Sequence, residues 1–413
     1  MSERALRDSC RTSELEALDV LCARPDRPAG MRAFDDFHRS GVRADELIAL
    51  QRGGRKLVGQ ICHFVPEELV IAAGAEPLRL DQGFAEAVDA ASGRLPMDVC
   101  CAVRALAGAR RAGCSPEVDL LVLPGTCDGK RKLASQLRAR GEQVFSLELP
   151  PSKRGEMSAA FWHAQVRALI CRLEALTGKR ISRRPLRAAV ELVNRRAAAA
   201  RALDELRKRD PPPLSGLDAL LVVQTSFVAD LRWWCERCES LVEECAERTV
   251  ATGPKARILL TGAPVLWPDF GLLHLLAEAG ADVVADEICS GSAHLVQPVV
   301  VDEDTRAGLV QAAAERVFLP CNCPCFAESE DRLDRLLHLA EAWRVDGVVH
   351  HTLRLCAGYD MDAPALAEAF RERGIPWLSV YTEFGQHAGL RSRVEAFVEM
   401  IGSSARRSDR GQE

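Results

Sequence analysis

Short apolar runs that stop at a turn residue or a cysteine constrain this chain more than any other feature. Val118-Asp-Leu-Leu-Val-Leu123 is an almost unbroken apolar run cut off by Pro124-Gly125. A strand of a parallel sheet reads this way, because helices cover both of its faces. Lys56-Leu-Val-Gly-Gln-Ile-Cys62 and residues 144–147 repeat the theme. Between them, Pro66-Glu-Glu-Leu-Val-Ile-Ala-Ala-Gly74 opens with proline at a helix start and closes at glycine, the expected asymmetry of a helix. Strands alternating with helices predict a parallel α/β sheet.

The theme restarts at Arg257-Ile-Leu-Leu-Thr-Gly262 and continues through residues 281–285, 316–319, 346–349 and 375–380, with helical stretches at 332–343 and 363–373. Residues 152–209 are helical in pattern and rich in Arg and Ala, Pro211-Pro-Pro213 breaks them, and 232–248 is helical again. Residues 217–223 fit a strand or a helix equally. Residues 1–55 are charged, with helical spacing and a break at 25–30. The predicted fold class is therefore α/β: a helical arm over 1–55, a first α/β domain over 56–151, a helical region over 152–253, a second α/β domain over 254–402 and a flexible polar tail over 403–413. The two α/β halves read as distant structural echoes, and no solenoid repeat is visible.

A net charge of −5 with only 21 aromatic residues (Phe 13, Trp 6, Tyr 2) speaks against nucleic-acid binding, which needs basic surface and stacking platforms. No run of 18 apolar residues is present and the opening Met1-Ser-Glu-Arg is polar, so neither membrane span nor signal peptide is expected and a cytoplasmic location is. In a reducing compartment, sixteen cysteines point to metal or redox sites before disulfides.

Their positions sharpen this. Ligands of open α/β sheets bind outside the carboxyl ends of the strands. Cys62, Cys127, Cys289 and Cys356 each follow an apolar run, as does the group Cys321, Cys323 and Cys325, whereas Cys100 heads a predicted helix. Iron–sulfur clusters take thiolates, and so does zinc in tetrahedral sets. Zinc knuckles come as close pairs, while these cysteines come mostly singly on separate loops, which suits a buried cluster between two domains. Packing is the competing explanation, since free cysteine is among the most buried residues. It fits Cys10, Cys22, Cys114, Cys171 and Cys245, and also Cys235-Glu-Arg-Cys238, whose redox-like spacing falls inside a helical stretch. Cys101 adjoins Cys100, so one of the two ligates. Gly125-Thr-Cys-Asp-Gly-Lys-Arg131 has three residues before Gly-Lys and no Ser or Thr after it, so it is not a triphosphate loop. Its basic residues Lys130, Arg131 and Lys132 read equally as an anion holder, a cluster-loop clamp or a solvated patch.

Gly59-Gln-Ile-Cys-His-Phe-Val-Pro-Glu-Glu-Leu-Val-Ile-Ala-Ala-Gly-Ala75, Thr126-Cys-Asp-Gly-Lys-Arg-Lys132 and Val345-Asp-Gly-Val-Val349 with Cys356 resemble the 2-hydroxyacyl-CoA dehydratase family. That family includes the B and C subunits of benzoyl-CoA reductase and the double-cubane cluster proteins. The resemblance spans residues 35 to 400 and implies two Rossmann- or flavodoxin-like domains around a buried iron–sulfur cluster. It maps cluster ligands onto Cys100, Cys127 and Cys356. Asp286-Glu-Ile-Cys-Ser-Gly291 and Pro320-Cys-Asn-Cys-Pro-Cys325 resemble the double-cubane branch and imply three more ligands, Cys289, Cys323 and Cys325. Cys321 is their neighbour and Cys62 an alternate or supporting ligand. Gly262-Ala-Pro264 lacks a cysteine that some relatives carry.

The resemblance further implies a 4Fe-4S cluster or a double cubane (8Fe-9S), fed by a separate ATP-hydrolysing iron–sulfur activator, in a homodimer or a heterodimer with a paralogous subunit. The preferred reading is a double-cubane reductase of small molecules. The alternative is a subunit of an (R)-2-hydroxyacyl-CoA dehydratase, which removes water through a ketyl radical of the thioester. A non-catalytic metal-binding or electron-carrier scaffold is the rival of another class. Glu68 is the candidate catalytic group, as a proton relay or iron-side carboxylate; a first-turn Glu stabilised by its helix dipole is its ordinary explanation. His63 is a lesser candidate of the same kind, and of His350-His351 one ring is expected to face the cleft. Because no phosphate loop is present, the purified chain should show no ATP hydrolysis of its own in a phosphate-release assay; turnover that persists through repeated purification would contradict this.

Overall fold

A computed structural model of the chain describes residues 2–91, 95–96, 98–250, 253 and 255–409, with side chains as far as residue 402. Among these residues lie two four-stranded sheets, all parallel. The first consists of β1 (Leu57–Gln60), β2 (Glu76–Arg79), β3 (Leu120–Pro124) and β4 (Val144–Leu147), in the order β2-β1-β3-β4. The second consists of β5 (Ala256–Gly262), β6 (Ala281–Ile288), β7 (Gly347–Leu353) and β8 (Trp377–Thr382), in the order β6-β5-β7-β8. The two orders are the same, so both sheets reverse direction of winding at their centre, between β1 and β3 and between β5 and β7. Such a switch point opens a crevice at the carboxyl ends of the central strands.

Two elements depart from the sequence reading, and a third resolves a stretch that the sequence left open. Residues 217–223 belong to a helix, Gly216–Thr225, which Ser215 caps through the Asp218 N–H and whose ten residues are all buried; a helix apolar all round sits in a core. Residues 316–319 are not a strand but the end of the helix Arg306–Phe318, capped by Thr305. Their apolar residues continue the buried face formed by Leu309, Ala312 and Ala313. The strand β2 escaped notice because it is short and carries Glu76, Pro77 and Arg79; it lies at the sheet edge, where proline costs no ladder hydrogen bond. At the other end of the chain, the helix Arg391–Asp409 runs into the stretch read as a tail, and residues 410–413 lie outside the described residues. No helix among the described residues is long and apolar enough to cross a membrane.

The helices Glu156–Thr177, Arg183–Leu206 and Arg306–Phe318 pack together beside the first sheet, where the buried Trp162 donates its indole N–H to the Ala314 carbonyl at 2.9 Å. A separate apolar cluster joins the two halves. Phe84, Ala87, Cys101 and Ala105 on the first side meet Ala263, Leu266, Leu353, Tyr359 and Phe384 on the second. Gly83 lets the backbones touch: its N–H donates to the Trp267 carbonyl at 2.9 Å, and a Cβ there would run into the Leu266 carbonyl oxygen.

Gly108 does the same inside this junction. It brings the helix Cys101–Ala112 against the helix Ala85–Ala90, and a Cβ would collide with the Ala87 carbonyl oxygen. In an open helix, alanine gains about 1 kcal/mol over glycine. Here Gly108→Ala should instead lower stability by about 2–3 kcal/mol, read from urea unfolding; a stabilised variant would show that the two helices do not touch there.

Candidate metal centre

The carboxyl ends of both sheets open onto one cavity of about 510 Å³, lined by Cys62, Cys100, Cys127, Cys289, Cys323, Cys325 and Cys356. Cys62 follows β1, Cys127 follows β3, Cys289 follows β6 and Cys356 follows β7. Cys323 and Cys325 come from the connection between the helices Arg306–Phe318 and Glu330–Ala342. Cys321 lines a smaller adjoining cavity of about 50 Å³, which shares Cys289, Cys323 and Tyr359 with the first. All eight nominated cysteines therefore lie around two neighbouring spaces. The other cysteines do not: Cys235, Cys238 and Cys245 are buried on one face of the helix Leu231–Glu247, and the Cys238 thiol donates to the Ala199 carbonyl at 3.8 Å.

Three of the cysteines share a local device. Cys100, Cys127 and Cys356 are the N-cap residues of the helices Cys101–Ala112, Asp128–Ala139 and Ala357–Glu372. A helix N-terminus presents free N–H groups and about half a positive charge, which favours thiolate over thiol. The Cys127 sulfur accepts the Lys130 N–H at 3.5 Å. Proteins seldom cap helices with cysteine when Ser, Thr, Asp or Asn will do, so three thiols at three N-caps around one cavity stand out as candidate metal ligands.

The backbone adds a second sign. Cys62 has φ of 67° and Leu355, just before Cys356, has φ of 68°. A left-handed conformation at a residue with a side chain costs energy that the surroundings must hold in place. At Cys62 the brace is explicit: its N–H donates to Asp81 Oδ2 at 2.8 Å, and Asp81 accepts from Arg79 Nε at 2.6 Å. The Cys62 and Cys289 sulfurs and one His63 ring nitrogen then fall within 4.8 Å of one another. His63 bridges further, with Nδ1 at 3.6 Å from Cys62 Sγ and Nε2 at 2.9 Å from Cys321 Sγ.

Electrostatics fit metal loading. The Cys289 thiol donates to the Cys62 sulfur, which holds Cys62 below its ordinary value and Cys289 above it. Burial pushes the Cys100 and Cys321 thiols up and takes Cys356 to about 12, so these protons leave only when a metal displaces them. Burial alone would lower the half-buried Lys130 ammonium, but Cys62, Asp81 and Cys127 outweigh it and hold the ammonium charged against the thiol wall. Lys130 is thus the member of the basic run that faces the cavity, whereas Arg131 pairs with Asp128 at 3.3 Å and Glu148 at 3.1 Å.

The remaining nominated residues lie elsewhere. Glu68 is fully buried and accepts from Arg316 Nε at 2.5 Å; it lines none of the described cavities. Neither His350 nor His351 faces the cleft, since β7 is a central strand buried along its whole length. His350 stacks on Trp377 with ring centroids 5.4 Å apart, while His351 bonds Ala263 O at 3.0 Å and Thr382 Oγ1 at 2.6 Å. Burial lowers them to about 3 and about 4, which keeps both neutral. Sequence reasoning passed over Asp81 and Tyr359. Tyr359 stands three residues after Cys356, one helical turn on, which was a usable signal; for Asp81 there was none.

Beside the cavity, Glu67 accepts from Arg196 Nη1 at 2.8 Å and Arg316 Nη2 at 3.4 Å. Burial would push this carboxyl up, but Arg196 and then Arg316 outweigh it and hold it below its ordinary value of 4.5. The pair's stabilisation is therefore complete above that ordinary value and is lost as pH falls through the lower folded one. Glu67→Gln should cost about 3 kcal/mol at pH 7 and flatten the loss of stability between pH 7 and acid in urea unfolding. Parallel pH profiles for the two proteins would exclude the linkage.

The family 2-hydroxyglutaryl-CoA dehydratase, D-component, matches residues 62–401 of this chain. YjiM of Escherichia coli (strain K12), a protein assigned to the dehydratase subunits, is 30% identical over 386 residues, covering 91% of this chain and 99% of that protein. One of the subunits of benzoyl-CoA reductase from Thauera aromatica is 22% identical over 357 residues, 84% of this chain and 91% of its own length. The beta subunit of (R)-2-hydroxyglutaryl-CoA dehydratase from Acidaminococcus fermentans is 20% identical over 379 residues, 89% and 98% of the two chains. The matched span begins at Cys62 and takes in every cysteine of the cavity. With the family match running over most of its length, this chain belongs to the 2-hydroxyglutaryl-CoA dehydratase D-component family of dehydratase and reductase subunits.

Proposed function

We propose that this chain is the iron–sulfur component of a reductase that passes low-potential electrons to a small molecule. The observation that carries this reading is the convergence of Cys62, Cys100, Cys127, Cys289, Cys323, Cys325 and Cys356 on one cavity. A zinc site takes four ligands, and this set exceeds it. Cys100, Cys127 and Cys356 hold one cubane and Cys289, Cys323 and Cys325 a second, with Cys62 and Cys321 in support. A cluster bound there supplies one-electron reduction at low potential.

The chain's own residues do the rest. The three helix N-termini and the Lys130 ammonium offset the negative charge of the thiolates. Val103, Leu106, Leu266 and Leu353 on the cavity wall exclude water, which strengthens every charge interaction inside. The Tyr359 side chain lines both cavities and offers its O–H as a proton donor beside the thiols. Glu68 acts through Arg316, whose guanidinium it holds in place, and so is a positioning residue. Electrons come from a separate ATP-hydrolysing iron–sulfur protein, in a reducing cytoplasm, and a second copy or a paralogous chain completes the assembly.

Relatives that are beta subunits of dehydratases match along almost their whole length, and they favour a second reading: a dehydratase subunit with one cubane that works on a coenzyme A thioester. Iron and acid-labile sulfide per anaerobically purified chain decide between the two. About eight irons are expected for two cubanes and about four for one. Cys127→Ala should lower the iron content and Cys171→Ala, on the exposed face of a helix, should not. Replacing Cys323 and Cys325 together should bring eight towards four; four irons in the wild type with no change in the double variant would establish the dehydratase reading, and zinc in place of iron would refute both.

A further inference from the structure

Another cavity, of about 240 Å³, lies against the thiol wall and shares Cys62 with it. It also shares His63, His294 and Arg316 with the small space beside Cys321. Its character is different. Arg79, Arg196 and Arg316 line it, and each is at most 8% exposed. Guanidinium groups stay charged in any site, and their planar fork matches the oxygens of a carboxylate or phosphate.

The carboxylates on the same walls do not exhaust these donors. Glu67 is engaged by Arg196 and Arg316, Glu76 by Arg43 and Arg55, and Asp230 caps the helix Leu231–Glu247. Yet the buried Nε of Arg196 has no partner. His294 is the second case. Arg79 Nη1 lies 3.3 Å from its Nε2, and arginine can only donate, so Nε2 accepts and the ring proton sits on Nδ1. That buried Nδ1 also has no partner. The Gln60 Oε1 on the same wall also lacks a partner, but two free donors beside three arginines outweigh this one acceptor and favour an oxygen-rich anion. At about 240 Å³ the space is smaller than the ~300–1,000 Å³ of drug-sized sites, which limits the ligand to a few heavy atoms. The Phe227 ring, with the Arg79 guanidinium 4.2 Å above its centroid, gives it one apolar wall.

We propose that this cavity binds a small oxyanion, a carboxylate or an inorganic oxyanion, held by Arg79, Arg196, Arg316 and His294, with His63 and Cys62 on the wall it shares with the thiol centre. The inference builds on the proposed function, naming an anion of this size as the class of substrate or effector that sits next to the metal centre. His63 touches Cys62 and Cys321 while lining the anion cavity, and Cys62 lines it too, so a ligand there sits directly against the thiol centre.

Titration calorimetry on the anaerobically purified full-length protein, with sodium acetate in one arm and sodium phosphate in the other, tests the proposal and distinguishes the two sources. Saturable binding of at least one is expected. Arg316→Lys keeps the charge beside Glu67 and Glu68 but loses the fork, and should weaken binding about tenfold. Because that variant risks misfolding, His294→Leu is the second: it removes the free N–H and leaves every carboxylate paired, with the same expected loss. Arg391→Gln, which touches only Glu278 and Glu395 on the surface, should bind as wild type. Absence of saturable binding by either anion, or unchanged affinity in folded Arg316→Lys and His294→Leu, would overturn the proposal. Iron measured on the same sample separates it from the reading it rests on: iron-free protein that still binds leaves the anion cavity standing, and iron-loaded protein that binds neither anion removes it alone.

Discussion

Everything in this molecule depends on the apolar junction that holds the carboxyl ends of two parallel sheets face to face. Phe84, Cys101 and Ala105 from one half bury against Leu266, Leu353 and Phe384 from the other, and Gly83 and Gly108 remove the side chains that would hold the backbones apart. A parallel sheet keeps its polar, ligand-bearing loops at its carboxyl edge. Turning two such edges towards each other converts scattered single cysteines into one thiol-lined space. Neither half alone supplies the set, since Cys62, Cys100 and Cys127 come from the first and Cys289, Cys323, Cys325 and Cys356 from the second.

Within that frame, charge is arranged before any metal arrives. Cys100, Cys127 and Cys356 stand at the N-termini of three helices, where the helix dipole favours negative charge. Lys130 adds a full charge from one turn beyond Cys127. Burial works in the opposite direction and keeps most of these thiols protonated when they stand alone. Under the proposed function, a metal entering this centre would displace those protons. The ion-pair layer of Glu67, Glu68, Arg196 and Arg316 lies directly behind it and fixes the wall that the anion cavity uses.

Much of this was legible in the sequence. The strands β1, β3 and β5 announced themselves as apolar runs ending at Cys, Pro or Gly, and β7 as a run ending at His350, because central parallel strands are buried on both faces. The convergence of the cysteines on one cavity was legible for the same reason, as side chains placed at strand ends. The illegible parts have physical causes. An edge strand such as β2 carries no apolar signature. The apolar residues 316–319 signal burial without distinguishing strand from helix, and only the run back to Thr305 shows the period. Asp81 and His294 acquire their roles through partners more than ten residues away, and no local pattern records such a contact. His350 and His351 follow an apolar run as the cysteines do, yet β7 extends through them, so both pack where one ring was expected to face the cleft.

Anomalous diffraction at the iron edge, from anaerobically grown crystals of the full-length protein, addresses the thiol centre directly. Iron peaks inside the cavity, with Cys100, Cys127, Cys289, Cys323, Cys325 and Cys356 around them at metal–sulfur bonding distance of about 2.3 Å, are the expected result. An empty cavity at the iron edge, or a signal that appears only at the zinc edge or beside Cys235 and Cys238, would contradict it.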